Sequence, residues 1–225
     1  RRNLYIAGCV GELLERICFG DEFSSYQIII MEDDDSRVDS LNKNLPENII
    51  FTSFKDGKKL ILDSKDQVDI YINVSSTPKR RYNCKIFFNS TKSNFPSVRE
   101  NNSVISRMSS FSKGCYLGNL VTIESNSNIG EFCVLHSKSH IGHDTSLGNF
   151  CILGASVVVN SGCIIDDYCL LGSSVTLANG VKIGKGSLIQ AGSFVKNDIP
   201  EYTFASGNPC NVVAPVQLLG KDYVF

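Results

Sequence analysis

The sequence is poor in several features, and each shortage closes off a class of explanation. No apolar run approaches the roughly 18 residues of a membrane-spanning helix, and the opening residues lack the order of a secretory signal. Neither sign of charge is in excess: 22 Lys and Arg stand against 23 Asp and Glu, a net charge of −1. The chain therefore has no nucleic-acid signature. Histidine is scarce, with three in 225 residues. The nine cysteines contain no CxxC pair, the usual spacing of a zinc or dithiol site. The chain opens Arg1-Arg2-Asn3 without a Met, as a trimmed chain or a piece of a longer protein would. Its length leaves room for two modest domains.

What is present is a six-residue register. Every sixth residue from Ile105 to Val195 is apolar, through Phe111, Leu117, Ile123, Ile129 and Leu135 onward. Two places before each stands a small residue, such as Ser103, Cys115, Ser127, Cys133, Thr145 or Val157, and Gly often follows, as at Gly118, Gly142 and Gly154. Neither a helix of period 3.6 nor an alternating strand gives a sustained period of six. A hexapeptide β-helix does. Each hexad supplies a short strand and a corner, three hexads close a triangular turn, and residues eighteen apart stack at roughly 4.8 Å. The sixteen hexads predict a little over five turns, a prism on the order of 25 Å tall. The aliphatics fill the axis, and the glycines are expected to relieve a corner that needs φ > 0. Cys115, Cys133, Cys151, Cys163 and Cys169 fall on the small position and read as compact fillers, which implies a reducing, cytoplasmic setting.

The first hundred residues follow other periods. Leu4–Ala7 reads as a buried strand, Gly8-Cys-Val-Gly11 as a turn and Glu12–Phe19 as a helix. Tyr26–Met31 is a second buried strand, ending on the acidic run from Glu32 and Asp33 to Asp35. Ile49–Phe54 and Lys59–Leu62, around Asp56-Gly57, suggest a hairpin. Asp69–Val74 reads as a strand, and Thr77-Pro78 as the cap and first residue of a helix to about Asn89. Phe95–Val98 reads as a last short strand. Strand, Gly turn, helix, strand and acidic end make a small Rossmann-like βαβ unit. Its turn would place N–H groups at a diphosphate, which nominates Val10, Gly11, Glu12, Glu32, Asp33 and Ser75 as substrate contacts. The alternative is a packing domain with a solvated acidic loop.

All three histidines, His136, His140 and His143, fall within one coil. Ile141 is the inward residue, so His143 and Asp144 are expected to point outward at the next corner. A carboxylate can hold an imidazole in one tautomer, and such a His is suited to take a proton from an attacking amine or hydroxyl. Ser161 follows His143 by eighteen residues and stacks on it, so its N–H is the natural oxyanion donor if a thioester lies between the two coils. His136 is either a substrate contact or a plain corner residue, and His140 reads as structural. Lys182 and Lys185 come late in the prism, where cofactor phosphates could reach or where they simply meet solvent. No set of ligands suited to zinc is visible.

Val134-Leu-His-Ser-Lys-Ser-His-Ile-Gly-His-Asp144, the following hexads, and Ile199-Pro200 with Gly207-Asn208-Pro209 resemble the hexapeptide-repeat sugar acetyltransferases, namely the sialic-acid O-acetyltransferase-like and bacillosamine-pathway N-acetyltransferase family. The resemblance implies an α/β Rossmann-like unit followed by a left-handed parallel β-helix. It divides the chain into a nucleotide-sugar-binding domain at 1–98, an acyltransferase prism at 99–200 and a tail at 201–225. It further implies a homotrimer, acetyl-CoA as co-substrate without a metal, and a nucleotide-linked amino sugar as acceptor. Matched positions give His143 as general base, Asp144 as its partner, and Ile152, Ser161, Ser173 and Ala191 as acetyl-CoA contacts. The position where some members carry a second His is Ile152 here. The competing readings are sugar O-acetylation, a non-catalytic trimeric scaffold and a metal-dependent hydratase.

Overall fold

The computed structural model describes residues 2–8, 26–32 and 47–220. The turn and helix expected over residues 9–19, with Val10, Gly11, Glu12 and Asp33, lie outside the described residues. The chain divides into two compact units, residues 1–74 with 81–96, and residues 75–80 with 97–225.

In the first unit five strands form one parallel sheet: β1 (Arg2–Ala7), β2 (Tyr26–Glu32), β3 (Ile49–Ser53), β4 (Val68–Ile72) and β5 (Ser93–Asn94). Their order is β3-β2-β1-β4-β5. The inner strands are near-continuous apolar runs, with Leu4–Ala7, Ile28–Met31 and Ile70–Ile72 all buried, as a parallel sheet covered on both faces requires. Gly8 leaves β1 at φ +95°, where an added Cβ would lie 3.1 Å from the Asn73 carbonyl oxygen. Two helices are described, α1 (Phe54–Asp63) and α2 (Pro78–Phe88). Among the described residues no helix is long and apolar enough to cross a membrane.

The hairpin expected around Asp56-Gly57 is instead the first turn of α1. The Ser53 hydroxyl accepts from the Asp56 N–H at 3.0 Å and donates to its carboxylate at 2.9 Å, a reciprocal cap of the kind that starts helices. Gly57 is there for clearance, since a Cβ would fall 2.3 Å from the Met31 sulfur on β2. Turn-forming residue types thus serve a cap and a close helix–sheet approach. Thr77 caps α2 as expected, accepting from the Arg80 N–H at 3.2 Å. The last short strand expected at Phe95–Val98 splits. Ser93–Asn94 pairs with β4, whereas Val98–Arg99 pairs with Tyr116–Leu117 and belongs to the prism.

The second unit is a parallel β-helix. Two-residue strands recur every six residues from Val98–Arg99 to Phe194–Val195 and stack at intervals of eighteen into three sheets. Face one contains Thr122–Ile123, His140–Ile141, Val158–Val159 and Thr176–Leu177; face two contains Asn128–Ile129, Ser146–Leu147, Ile164–Ile165 and Lys182–Ile183. Face three runs from Val98–Arg99 through Val134–Leu135 and Ile152–Leu153 to Leu188–Ile189. The second residue of each pair points inward, and Leu117, Leu135, Ile141, Leu153, Val159, Leu171 and Ile189 are fully buried. The register extends one hexad below Ile105, where the inward position is Arg99. Its side chain is exposed, and its guanidinium donates to the Ser103 hydroxyl and carbonyl at 2.9 Å.

Two details of the corners correct the sequence reading. Positive φ falls on the third residue after the inward aliphatic, as at Leu120, Asn126, Phe132, Asp144, Phe150 and Tyr168, and not on the glycine that directly follows it. That glycine is needed for space, because a Cβ on Gly142 would lie 2.7 Å from the Ser161 nitrogen one coil above. The small position also does more than fill. Cys133 and Cys151 donate S–H to the carbonyls of Gly148 and Asp166 at 2.9 and 3.0 Å, and Ser127 donates O–H to that of Gly142 at 2.8 Å. A Cys, Ser or Thr there gives a buried corner carbonyl a donor, which Val at the same position does not.

Above Val195 the register shortens. Ile199 bridges to Ile183, and Leu188–Ile189 pairs with Phe204–Ala205, a spacing of sixteen. The chain beyond residue 200 then adds the strand Thr203–Gly207 to face three and returns antiparallel as Cys210–Pro215.

Candidate active site

The corner between faces one and two carries a His–Asp pair. His143 and Asp144 follow the inward Ile141 and the spacer Gly142, and both are exposed, at 54% and 58% of their side chains. Asp144 occupies the left-handed position at φ 57°, a conformation that Asp tolerates better than most residues. That turn folds its carboxylate back onto its neighbour: His143 Nδ1 and Asp144 Oδ2 are 2.7 Å apart. A carboxylate only accepts, so Nδ1 carries the proton and Nε2 of the neutral ring keeps its lone pair. The other carboxylate oxygen, Oδ1, accepts from Asn126 Nδ2 at 3.1 Å, one coil below. The His143 hydrogen bond, and after it that from Asn126, hold the Asp144 carboxyl below the usual carboxylate range.

One coil above, Ser161 stands over His143, and the adjacent Gly162 N–H donates to the His143 carbonyl at 2.9 Å. Among the described residues nothing accepts from the Ser161 N–H. Gly142 keeps that donor uncovered, since any side chain there would sit on it. The corner thus presents a basic nitrogen held by a carboxylate, with an open amide one coil higher. This set can remove a proton and stabilise a developing oxyanion.

The remaining nominated residues divide by location. Ser173 and Ala191 share a second corner, between faces three and one, where Gly154 and Gly172 leave their amides similarly uncovered; a Cβ would lie 2.5 Å from either nitrogen. The structure therefore does not bring them to the corner of His143 and Ser161 within one prism. His136 is on this second corner too, packed edge-on to Tyr116 with ring centroids 6.4 Å apart. Ile152 is buried on the outer side of face three. Lys182 is exposed on face two, and the Lys185 ammonium lies 5.6 Å from the Tyr168 ring centroid. Lys185 borders a groove of about 600 Å³ along face two, with Asn128, Ser146, Asp167 and Glu201.

In the first unit Glu32 ends β2 and is buried. There the buried Arg81 guanidinium donates to the carbonyls of Ile72 and Val74; Ser75, which is half-buried, opens the short stretch that groups with the second unit. Among the described residues no three His, Cys, Asp or Glu side chains gather as a metal site.

Sequence reasoning missed two polar residues of the first corner, Asn126 and Glu124. Glu124 Oε2 accepts from the His143 backbone N–H at 3.1 Å. The signal was available, because both lie one coil below the His143 corner and counting back eighteen from Asp144 and Gly142 finds them.

Comparison with known proteins agrees with this architecture. Residues 162–197 match the hexapeptide repeat of succinyl-transferase. Proteins of Saccharomyces cerevisiae and Staphylococcus aureus that bear acetyltransferase names are 56% identical over 36 residues, 16% of this chain. The match spans 18% of the length of those relatives. Solved structures align over far more. WeeI from Acinetobacter baumannii superposes with a TM-score of 0.80 at 19% identity, covering 95% of this chain and all of that one. The acetyltransferase domain of PglB from Neisseria gonorrhoeae, solved with acetyl coenzyme A, gives 0.76 at 17% identity over 94% of this chain and 99% of its own. A histidine-to-asparagine variant of perosamine N-acetyltransferase from Caulobacter crescentus, solved with CoA and GDP-perosamine, gives 0.75 at 17% identity over 94% and 97%. This chain has the fold of those solved proteins, with a prism built on hexapeptide repeats.

Proposed function

We propose that the protein is an acetyl-CoA-dependent N-acetyltransferase acting on the amino group of a nucleotide-linked amino sugar. The observation that carries this reading is the His143–Asp144 pair at 2.7 Å, with the Ser161 amide left open above it by Gly142. In the reaction His143 Nε2 takes the proton of the sugar amine as its nitrogen attacks the thioester carbonyl. Ser161 N–H donates to the carbonyl oxygen as negative charge collects there. The C–N bond forms, the C–S bond breaks, and the imidazolium returns its proton to the departing sulfur. Asp144 stabilises the charged ring meanwhile and fixes its tautomer.

The open amides at Ser161, Ser173 and Ala191 suit an extended ligand with carbonyl acceptors, which acetyl-CoA is. Their division between two corners supports a homotrimer, in which one copy's His143 corner meets its neighbour's Ser173 corner. Ile152, Lys182 and Lys185 then fall to the same cofactor, and His136 to the sugar. For the first unit, the order β3-β2-β1-β4-β5 matches the doubly wound nucleotide-binding sheets. Gly8, Glu32 and Ser75 follow or end the adjacent strands β1, β2 and β4, at the carboxyl edge where such sheets bind ligands. This supports a Rossmann-like domain at 1–98 holding the nucleotide, with Val10, Gly11, Glu12 and Asp33 as further contacts, and a left-handed prism from residue 99. The solved relatives hold acetyl coenzyme A, or CoA with GDP-perosamine, the ligand classes proposed here. The buried free thiols of the prism support a reducing, cytoplasmic setting.

The test is a panel of UDP-, dTDP- and GDP-linked amino sugars offered with acetyl-CoA, followed by thiol release and product mass. Amide formation is expected with at least one, and His143→Ala should lower kcat by about 10²–10⁴ without changing the elution volume. Transfer to a hydroxyl alone would favour sugar O-acetylation. Full turnover in His143→Ala would overturn the assignment of the base.

A further inference from the structure

The two amides flanking the His143 corner are treated oppositely. The residue after each inward aliphatic is most often Gly, and its missing side chain uncovers a backbone N–H one coil higher, as Gly142 does for Ser161. One coil below Gly142 the same position is Glu124. Its side chain fills the space a glycine would leave, and Oε2 accepts from the His143 N–H at 3.1 Å. Such a charge-assisted bond to a backbone donor is stronger than a neutral one. The amide below the imidazole is therefore occupied, while the amide above it is open.

Glu124 has further neighbours. Its Oε1 lies 3.8 Å from His140 Nε2. The other nitrogen of that ring, His140 Nδ1, is 2.7 Å from the Thr122 hydroxyl. The Glu124 carbonyl accepts from the Ser109 hydroxyl. His140, which reads as merely structural from sequence, thus stands beside the Glu124 carboxylate. Thr122 and His140 are hydrogen-bonded to each other, as are Glu124 and the His143 amide, and the two pairs lie side by side along the prism.

We propose that Glu124 is a positioning residue for His143. Its carboxylate pins the backbone at the start of the corner, so that the imidazole is presented to the open Ser161 amide above. It also denies a substrate oxygen the competing His143 amide below. The inference rests on the acyl-transfer reading of this corner, and its test has one arm that does not depend on turnover.

Glu124→Gln keeps an acceptor oxygen, and Glu124→Ala removes it. In Glu124→Ala, kcat should fall about tenfold or more, while KM for acetyl-CoA stays within about twofold. Glu124→Gln should recover most of that loss. Independently, amide exchange followed by NMR should show the His143 N–H protected in the wild type and in Glu124→Gln, and rapidly exchanging in Glu124→Ala. Circular dichroism and thermal melting of both variants report whether the prism is intact. Wild-type kcat in Glu124→Ala overturns the proposal, as does a Glu124→Gln variant as slow as Glu124→Ala. If no acceptor is ever acetylated, the functional reading fails, and the exchange arm still decides whether Glu124 holds this corner.

Discussion

Replacing Gly142 with Ala tests the site through a single methyl group. Its Cβ would lie 2.7 Å from the Ser161 nitrogen, 2.9 Å from the Asn160 carbonyl carbon and 3.0 Å from the Ser161 Cα, against 3.4–4 Å for ordinary contact. The atoms it meets are backbone, and they are held on both sides. The Gly142 N–H donates to the Val159 carbonyl at 2.8 Å, and the Gly162 N–H to that of His143 at 2.9 Å. Neither coil can yield alone, so the substitution should cost about 1–3 kcal/mol of overpacking, or about 2–4 °C of Tm for each kcal/mol in a chain of this size. The methyl group also covers the proposed oxyanion donor, and loss of one such donor lowers kcat by about 10²–10³. Gly154→Ala is the matched control, because its Cβ would stand 2.5 Å from the Ser173 nitrogen on the other corner. It should destabilise similarly, yet raise KM for acetyl-CoA and leave kcat near wild type. The assay is thiol release at saturating substrates, with melting of each variant alongside. A Gly142→Ala enzyme with lowered Tm and wild-type kcat would refute the role given to Ser161. Equal kcat losses in both variants would reduce the effect to general strain.

Three further outcomes are expected. His143 depresses the Asp144 pKa, so the pairing is complete above the ordinary Asp value of about 3.9 and is lost as pH falls through the lower folded value. His143→Ala should move the Asp144 carbon titration upward in NMR, and an unmoved midpoint would refute the pairing. Phe132, Phe150 and Tyr168 stack along the third corner with centroids 4.9 and 5.5 Å apart; Phe150→Ala should therefore cost about 3–5 kcal/mol in denaturant melts. Burial pushes the Cys151 thiol well above its ordinary range, with Cys133 and Cys169 adding to the effect. Alkylation mapped by mass spectrometry should spare Cys115, Cys133, Cys151, Cys163 and Cys169 in the native protein and reach them only after unfolding.

The axis of the prism was legible in the sequence because a period of six leaves no other regular structure, and one inward residue per hexad suffices to set the register. The corners were less legible. Gly142 and its equivalents suggest a conformational need, whereas their role is clearance from a coil eighteen residues away, a distance that local turn chemistry does not cover. Asp56-Gly57 misled for a related reason: Ser53 and Met31, outside the apparent turn, decide what those two residues do. At the candidate site, the inward Ile141 sets His143 and Asp144 outward, and a step of eighteen upward reaches Ser161. Glu124 and Asn126 reach the same corner from the coil below, eighteen residues earlier, where nothing in their local sequence marks them. Arg99 escaped the register because an inward position at the base of a prism borders polar groups, and the apolar rule no longer holds there.

The reversal of the chain at Cys210–Pro215 has a consequence for assembly. A parallel β-helix ends in an unfilled rung whose free N–H and C=O groups match the first rung of any other prism of its kind. Two such prisms could dock head to tail, and repetition of that contact would give an open filament. On face three the outermost strand instead runs antiparallel to its neighbour Thr203–Gly207 and ends at Pro215, which has no N–H to offer. The polarity that an incoming parallel coil would need is absent there. An incoming parallel coil therefore finds no matching strand at that wall.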